Sequence, residues 1–292
     1  VSTTRLLVVD TETTGTGPED QVIEISVRGR ELHEDGTLFK RWKWHSLVRP
    51  SCPIAPEARA THHVTDEELE KAPTMEELLD QQPELGGLRE NRSLEEDNRV
   101  LVAHVVGFDR KMLAQSARRE LLLPVREICT HRCALHVWPD APRHSNQVLR
   151  YWLGIDVPKS SGPPHRAQHD TLVTDGILDH LLAVHGVSEL VRVTKEPMML
   201  KWCRIGDQAG KLWADVNEGF LRWLLAKGES RPNPRGGRNV GFSADERMTA
   251  RYWLSIREAE RAENYAAARA KRLGLPSPVQ EKITADTSGG GS

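Results

Sequence analysis

Hydrophobic and polar positions along the chain alternate between short apolar runs and longer amphipathic stretches. Leu6-Leu7-Val8-Val9 opens directly onto Asp10-Thr11-Glu12-Thr13-Thr14-Gly15. Four apolar residues are too few for a helix and predict a fully buried central strand. Gln21–Val27 alternates like a half-buried strand, and Leu38–Val48 predicts a third, so the chain begins as an antiparallel meander within one sheet. Pro50, Pro53 and Pro56 then forbid regular pairing. Thr65-Asp66-Glu67-Glu68 is a capping box and starts a helix. Residues 83–98 are polar and Gly-containing and read as a loop.

Arg99–His104 predicts another short buried strand, leading into a helix on which Phe108, Met112 and Leu113 share one face. That spacing puts Asp109 in the first helical turn, pointing away from the core face. Pro163 and Pro164 precede His165-Arg166-Ala167-Gln168-His169-Asp170, after which Leu172, Val173, Ile177 and Leu181 follow with helical spacing. Farther on, Leu221, Leu224 and Leu225 surround Trp223 and predict it in a core. Base stacking is the alternative for Trp202, Trp213, Trp223 and Trp253. Ser243-Ala244-Asp245-Glu246 is a second capping box whose helix runs to about Leu273. Between these, Gly228–Gly241 reads as a mobile basic loop carrying Arg231, Arg235 and Arg238. From Pro276 the composition is disorder-like, and the closing Thr-Ser-Gly-Gly-Gly-Ser resembles a linker.

At 292 residues the chain accommodates one large domain or two. No apolar run is long enough to span a bilayer and no signal peptide is evident, which predicts a cytoplasmic protein without a membrane partner. Cys52, Cys129, Cys133 and Cys203 form no C-x-x-C pair and read as reduced thiols. Cys129 and Cys133 with His131, His136 and His144 match no standard zinc spacing. The net charge of −2 argues against a purely electrostatic grip on nucleic acid. Its distribution changes the picture: Lys195–Arg272 holds sixteen Lys/Arg against ten Asp/Glu, net +6, leaving −8 elsewhere. An acidic front and a basic back fit a nuclease better than a passive binder, although a solvated helix face has the same composition.

Asp10 and Glu12 lie two residues apart, on one side of an extended chain, because strand side chains alternate with period two. Like charges so placed resist ionising together unless a cation sits between them, and the oxygen donors suit a hard divalent ion of the Mg²⁺ type. Two solvated acids at the start of a loop are the alternative, since D-x-E is a common pattern. Asp109 alone is a favoured first-turn acid, and His165 alone is an ordinary structural histidine.

Taken in order, D-x-E-T-T-G after an apolar strand, F-D after a second strand, and H-x-x-x-x-D opening a late helix closely resemble the three motifs of the DEDDh (DnaQ-like) 3′-5′ exonuclease family. The resemblance covers about residues 5–185, including Leu47–Pro50, His62–Thr65 and Ile128–Thr130. A looser similarity from Met199 onward, through Ile205-Gly206, Gly210-Lys211 and Gly219–Leu224, matches a small C-terminal module found in one bacterial branch of the family.

The resemblance implies an α/β, ribonuclease H-like fold, a mixed five-stranded sheet flanked by helices, over residues 1–190. A small, mainly helical module would follow over 195–273 and a disordered tail over 274–292. It implies that Asp10 bridges two Mg²⁺ ions, for which Mn²⁺ can substitute. Glu12 and Asp170 would complete the shell of one ion, Asp109 would hold the other, and His165 would be the general base. Thr11, Thr13, His62 and Phe108 are the expected substrate contacts, with turn capping the alternative for His62, and Glu24 is expected to be a satisfied structural acid. Two positions depart from the family pattern: Val105 replaces an Asn, and Asp207 replaces a lysine in the module's basic loop. The expected activity is release of nucleoside 5′-monophosphates from DNA 3′ ends. A 3′-5′ exoribonuclease and a proofreading or scaffold subunit, with a repair or replication protein as partner, are the alternatives.

Overall fold

In the computed structural model the Leu6–Val9 run lies inside a longer strand, β1 (Thr4–Thr13), with all four side chains fully buried. The model describes residues 3–33, 35–81, 88, 98–117, 123, 124, 126–231 and 241–273. Residue-level expectations for the 83–98 loop, the centre of the 228–241 loop and the tail fall largely or wholly outside the described residues.

β1 continues through both acids, so Asp10 and Glu12 sit on the strand and not in a loop. It pairs antiparallel with β2 (Val22–Leu32), and β2 pairs antiparallel with β3 (Leu38–Leu47), giving the expected meander. On its other side β1 pairs parallel with β4 (Arg99–Ala103), which pairs parallel with β5 (Arg126–Cys129). The result is a mixed five-stranded sheet in the order β3-β2-β1-β4-β5, with β1 central. The β1–β2 register shifts between Glu12 and Thr13, an irregularity of the kind that re-aims side chains beside active sites. Gly29 faces Trp42 across β2 and β3, where a Cβ would collide with the indole.

The helices of the first unit, Val1–Glu196, follow in chain order. Pro56, which ends strand pairing, begins helix α1 (Pro56–His62), since a proline at the first helical position forfeits no intrahelical bond. This short helix is invisible to periodicity. The Thr65 capping box forms as expected and opens α2 (Asp66–Leu69), with α3 (Met75–Gln81) after it. Next come α4 (Val106–Ser116), α5 (Thr130–Val137), α6 (Asn146–Trp152), α7 (Ala167–Leu182) and α8 (Val187–Lys195). Leu7, Val9, Ile25 and Val27 pack on Met112 and Leu113 of α4 on one sheet face. The opposite face, with Asp10, Ser26 and Arg30, is covered by α7: Ser26 and Thr171 share a hydrogen bond at 2.8 Å, and Arg30 binds Asp175.

The second unit, Pro197–Ser292, contains α9 (Glu218–Lys227) and α10 (Ala244–Leu273). Its core gathers Cys203, Trp213, Val216, Leu221, Leu224, Ala250 and Leu254. The capping box at Ser243 and Glu246 forms, and the helix ends at Leu273 as expected. Trp223 corrects an expectation: it is 45 % exposed, with its ring against Phe220 and Phe242. Leu221 and Leu224 take the inward positions, and a residue two places from Leu221 falls about 200° around the helix.

Candidate active site

Alternation along β1 sends Asp10 and Glu12 toward α7, and sends Thr11 and Thr13 toward α4. The first turn of α7 delivers Asp170 to the same point. One carboxylate oxygen from each of Asp10, Glu12 and Asp170 lies within 4.8 Å of the others. The fourth acid, Asp109, arrives from the first turn of α4 and accepts a 2.9 Å hydrogen bond from the Thr11 hydroxyl. Asp109 corrects an expectation: it does not point away from the core face but lies three and four residues before Met112 and Leu113 on the same buried side of α4. Asp170 is fixed from two sides: Gln147 donates to Oδ1 at 2.6 Å, and the His165 backbone N–H donates to Oδ2 at 3.3 Å.

The electrostatics are those of acids crowded without compensation. Burial, then the charges of Asp109, Glu12 and Asp170, hold the Asp10 carboxyl well above the usual carboxylate range. Burial, followed by Asp170, Glu24 and Asp109, pushes Glu12 up to about 9. Asp109 is pushed up to about 7 by burial, against the opposing Thr11 bond. Burial raises Asp170 too, while His165 and His169 oppose the shift. Such a set stays protonated or takes up a cation. All four side chains offer hard oxygen donors, so they fit a divalent metal of the Mg²⁺ or Mn²⁺ type. Among the described residues this is the only acid, His or Cys group arranged to hold a metal. Cys129 and Cys133 are instead buried thiols against the carbonyls of His104 and Leu190.

His165 precedes α7 with φ 62°, a left-handed backbone that few non-glycine residues adopt. Its Nδ1 lies 3.9 Å from Asp170 Oδ2 and its side chain is 54 % exposed, so the ring stands at the rim of the acid cluster, open to solvent. Beside the cluster is a cleft of about 620 Å³ whose lining includes Thr11, Glu12, Thr13, His62 and Phe108. All four expected substrate contacts therefore border one cavity. His62 also caps its turn, with Nδ1 accepting from the Val64 N–H at 3.0 Å.

Gly15, at the cleft edge, is required by packing: a Cβ there would stand 2.5 Å from Asp20 Oδ2. That carboxylate closes the turn by accepting from Thr14 and from the Gly17 N–H. Glu24 is a satisfied acid, bound by His45 and Arg166 at 2.8 Å each. Gln147 is a site residue that sequence reasoning missed. Nothing near it in the chain marks it, and its contact with Asp170 comes from the packing of α6 on α7.

The model of the RNase_T exonuclease family matches residues 7–178, and the chain belongs to that family. It is an enzyme of the 3′-5′ exonuclease class, and the family together with the acid cluster makes it dependent on divalent metal. More particularly, it is 27% identical over 256 residues to Exodeoxyribonuclease 10 of Escherichia coli (strain K12), an alignment covering 85% of this chain and 98% of that protein. It is 32% identical over 180 residues to the DNA polymerase III subunit epsilon-like protein of Rhodobacter capsulatus, covering 58% of this chain and 22% of that one. The solved structure of exonuclease X in complex with 5′ overhanging duplex DNA is 26% identical, with a TM-score of 0.47 over 65% of this chain and 99% of that chain. Among the described residues no helix is long and apolar enough to cross a membrane.

Proposed function

We propose that this chain is a Mg²⁺-dependent 3′-5′ exodeoxyribonuclease, with Mn²⁺ able to substitute, that shortens DNA from the 3′ end and releases nucleoside 5′-monophosphates. The observation that carries this reading is the convergence of Asp10, Glu12 and Asp170 within 4.8 Å, with Asp109 and His165 beside them. The name of the Escherichia coli relative, similar over nearly its whole length, supports DNA as the polymer. In this reading residues 1–190 are the nuclease domain and 195–273 an accessory module, in a cytoplasmic protein whose cysteines stay thiols.

Divalent metal bound at the acids would supply charge stabilisation for the scissile phosphate and the leaving oxygen. Asp10, Glu12, Asp170 and Asp109 would hold the metal. Thr11 and Gln147 keep Asp109 and Asp170 aimed inward. His165 takes the proton of the attacking water at its open imidazole, the side chain suited to that task at neutral pH. Phe108, His62, Thr11 and Thr13 line the cleft that receives the terminal nucleotide.

The test is digestion of matched 5′-labelled DNA and RNA oligonucleotides with Mg²⁺, Mn²⁺ or EDTA. Metal-dependent, stepwise shortening from the 3′ end is expected, faster on DNA, with His165→Ala slower by about 10²–10⁴-fold. Faster shortening of RNA would make the chain an exoribonuclease. No shortening by folded protein with either metal would replace autonomous activity with a role inside a polymerase or repair complex.

A further inference from the structure

Glu24 is a buried carboxylate, 2 % exposed, that the proposed chemistry does not use. It pairs with Glu12 across β1 and β2, so it adds a fifth negative charge to a neighbourhood already short of cations. Burial pushes its carboxyl up, but hydrogen bonds from His45 and Arg166 outweigh that and hold it below its ordinary value. Glu24 is therefore an ionised anchor standing beside acids that resist ionisation.

What it anchors is the residue after His165. Arg166 Nε donates to Glu24 Oε2 at 2.8 Å, and its Nη1 donates to Glu68 Oε1 at 3.0 Å. Glu68 is itself held, its Oε2 accepting from the Thr65 N–H at 2.9 Å in the α2 capping box. One guanidinium thus ties the start of α7 to β2 and to α2. Immediately before it the backbone turns through two left-handed residues, Gly162 at φ 84° and His165 at φ 62°. Glycine tolerates that conformation, whereas histidine holds it only where the surroundings enforce it.

We infer that Arg166 is a positioning residue: clasped between Glu24 and Glu68, it enforces the strained turn at His165 and keeps the imidazole at the rim of the acid cluster. The inference rests on the reading of His165 as general base. A planar fork reaching two carboxylates is a task for arginine that lysine performs only in part. His45, bonded to the other oxygen of Glu24, keeps the anchor in place.

The full-length chain tests this with Arg166→Ala, Arg166→Lys and Glu24→Gln. Three quantities are measured: kcat and KM on 5′-labelled single-stranded DNA, the Kd for Mn²⁺, and metal-free hydrogen exchange of the Gly162, His165 and Arg166 amides, the only N–H groups of 162–166 since Pro163 and Pro164 have none. Arg166→Ala is expected to lower kcat about tenfold or more, in the range of losing a well-placed base. KM and the Mn²⁺ Kd should stay within about twofold, with exchange faster at 162–166 and unchanged in β1. Arg166→Lys should recover part of kcat, and Glu24→Gln should add little in the Arg166→Ala background. Unchanged exchange at 162–166 in both Arg166 variants overturns the clasp. So does a kcat loss matched by weaker Mn²⁺ binding, because Arg166 would then act on the acids and not on His165. A wild-type kcat for His165→Ala would sink the general-base assignment instead, so the two failures are distinguishable.

Discussion

Two groups of carboxylates gather on and around one sheet, and the protein treats them in opposite ways. Asp175 is gripped by Arg30 through Nε at 2.6 Å and bonded by Arg28 at 3.1 Å, and Glu24 is gripped by Arg166 and His45. These acids hold elements together. Among the described residues, the hydrogen bonds to Asp109 and Asp170 come from neutral donors, Thr11, Gln147 and a backbone N–H, with the His165 ring 3.9 Å from Asp170. Arginines are supplied on one side and withheld on the other. The withheld charge is the signature of a site completed by something from solution, and the supplied one that of a structural joint.

The widest separation between the two groups should appear on deleting one member of each. Asp10→Asn is expected to abolish metal-dependent digestion, a loss of about 10³-fold or more, equal to about 4 kcal/mol of transition-state stabilisation. The variant should still fold, as circular dichroism and urea denaturation would show. Arg30→Ala should do the reverse. It leaves the acid cluster intact and takes from Asp175 its buried partner, leaving the partly exposed Arg28 as the remaining cation, at a cost of about 3 kcal/mol in urea denaturation. An Arg30→Ala protein as stable as wild type would erase the distinction.

A smaller effect sharpens the comparison through pH. Glu12 and Asp109, pushed up to about 9 and about 7, titrate near 4 when unfolded. From about pH 4 to about pH 9 the metal-free folded chain therefore holds protons that the unfolded chain has released, so these groups make stability fall as pH rises across that window. A divalent cation displaces those protons. The rise in Tm on adding Mn²⁺ should accordingly grow between pH about 6 and about 8.5, by about 3–6 °C. The smallest expected change is in Glu12→Gln without metal. Removing an acid that resists ionisation should raise stability at pH about 8 by about 1–2 kcal/mol, while flattening the pH dependence. Unchanged Tm profiles in calorimetry would mean that the acids are not strained as their environment implies.

The sheet and the reactive acids were legible because each left a local signature. Leu6–Val9 could only be a buried strand, and the acid pair at 10 and 12 has the strand's own period. The capping boxes at Thr65 and Ser243 announced helices through bonds between residues three apart, and both formed. What stayed hidden depends on residues far apart in the chain. The α1 helix has seven residues and is held by packing and not by propensity. Trp223 was misplaced because an apolar neighbourhood on the helix does not say which residue turns inward. Gln147 and the Arg166–Glu24 pair, whose members are separated by 142 residues, become visible only when α6, α7 and β2 are brought together.

The order in which the acids occur along the chain also sets a clock. Asp10 and Glu12 are made before the rest of the cluster, and Asp170 follows Glu12 by 158 positions. At ~5–20 residues per second, roughly 8–30 s of synthesis separate the first acids from the last. Asp109 is added partway through that interval, but the nascent chain cannot finish the cluster before Asp170 is made. A growing polypeptide on the ribosome, beside the nucleic acids that encode and translate it, thus lacks its last acid until α7 has been made.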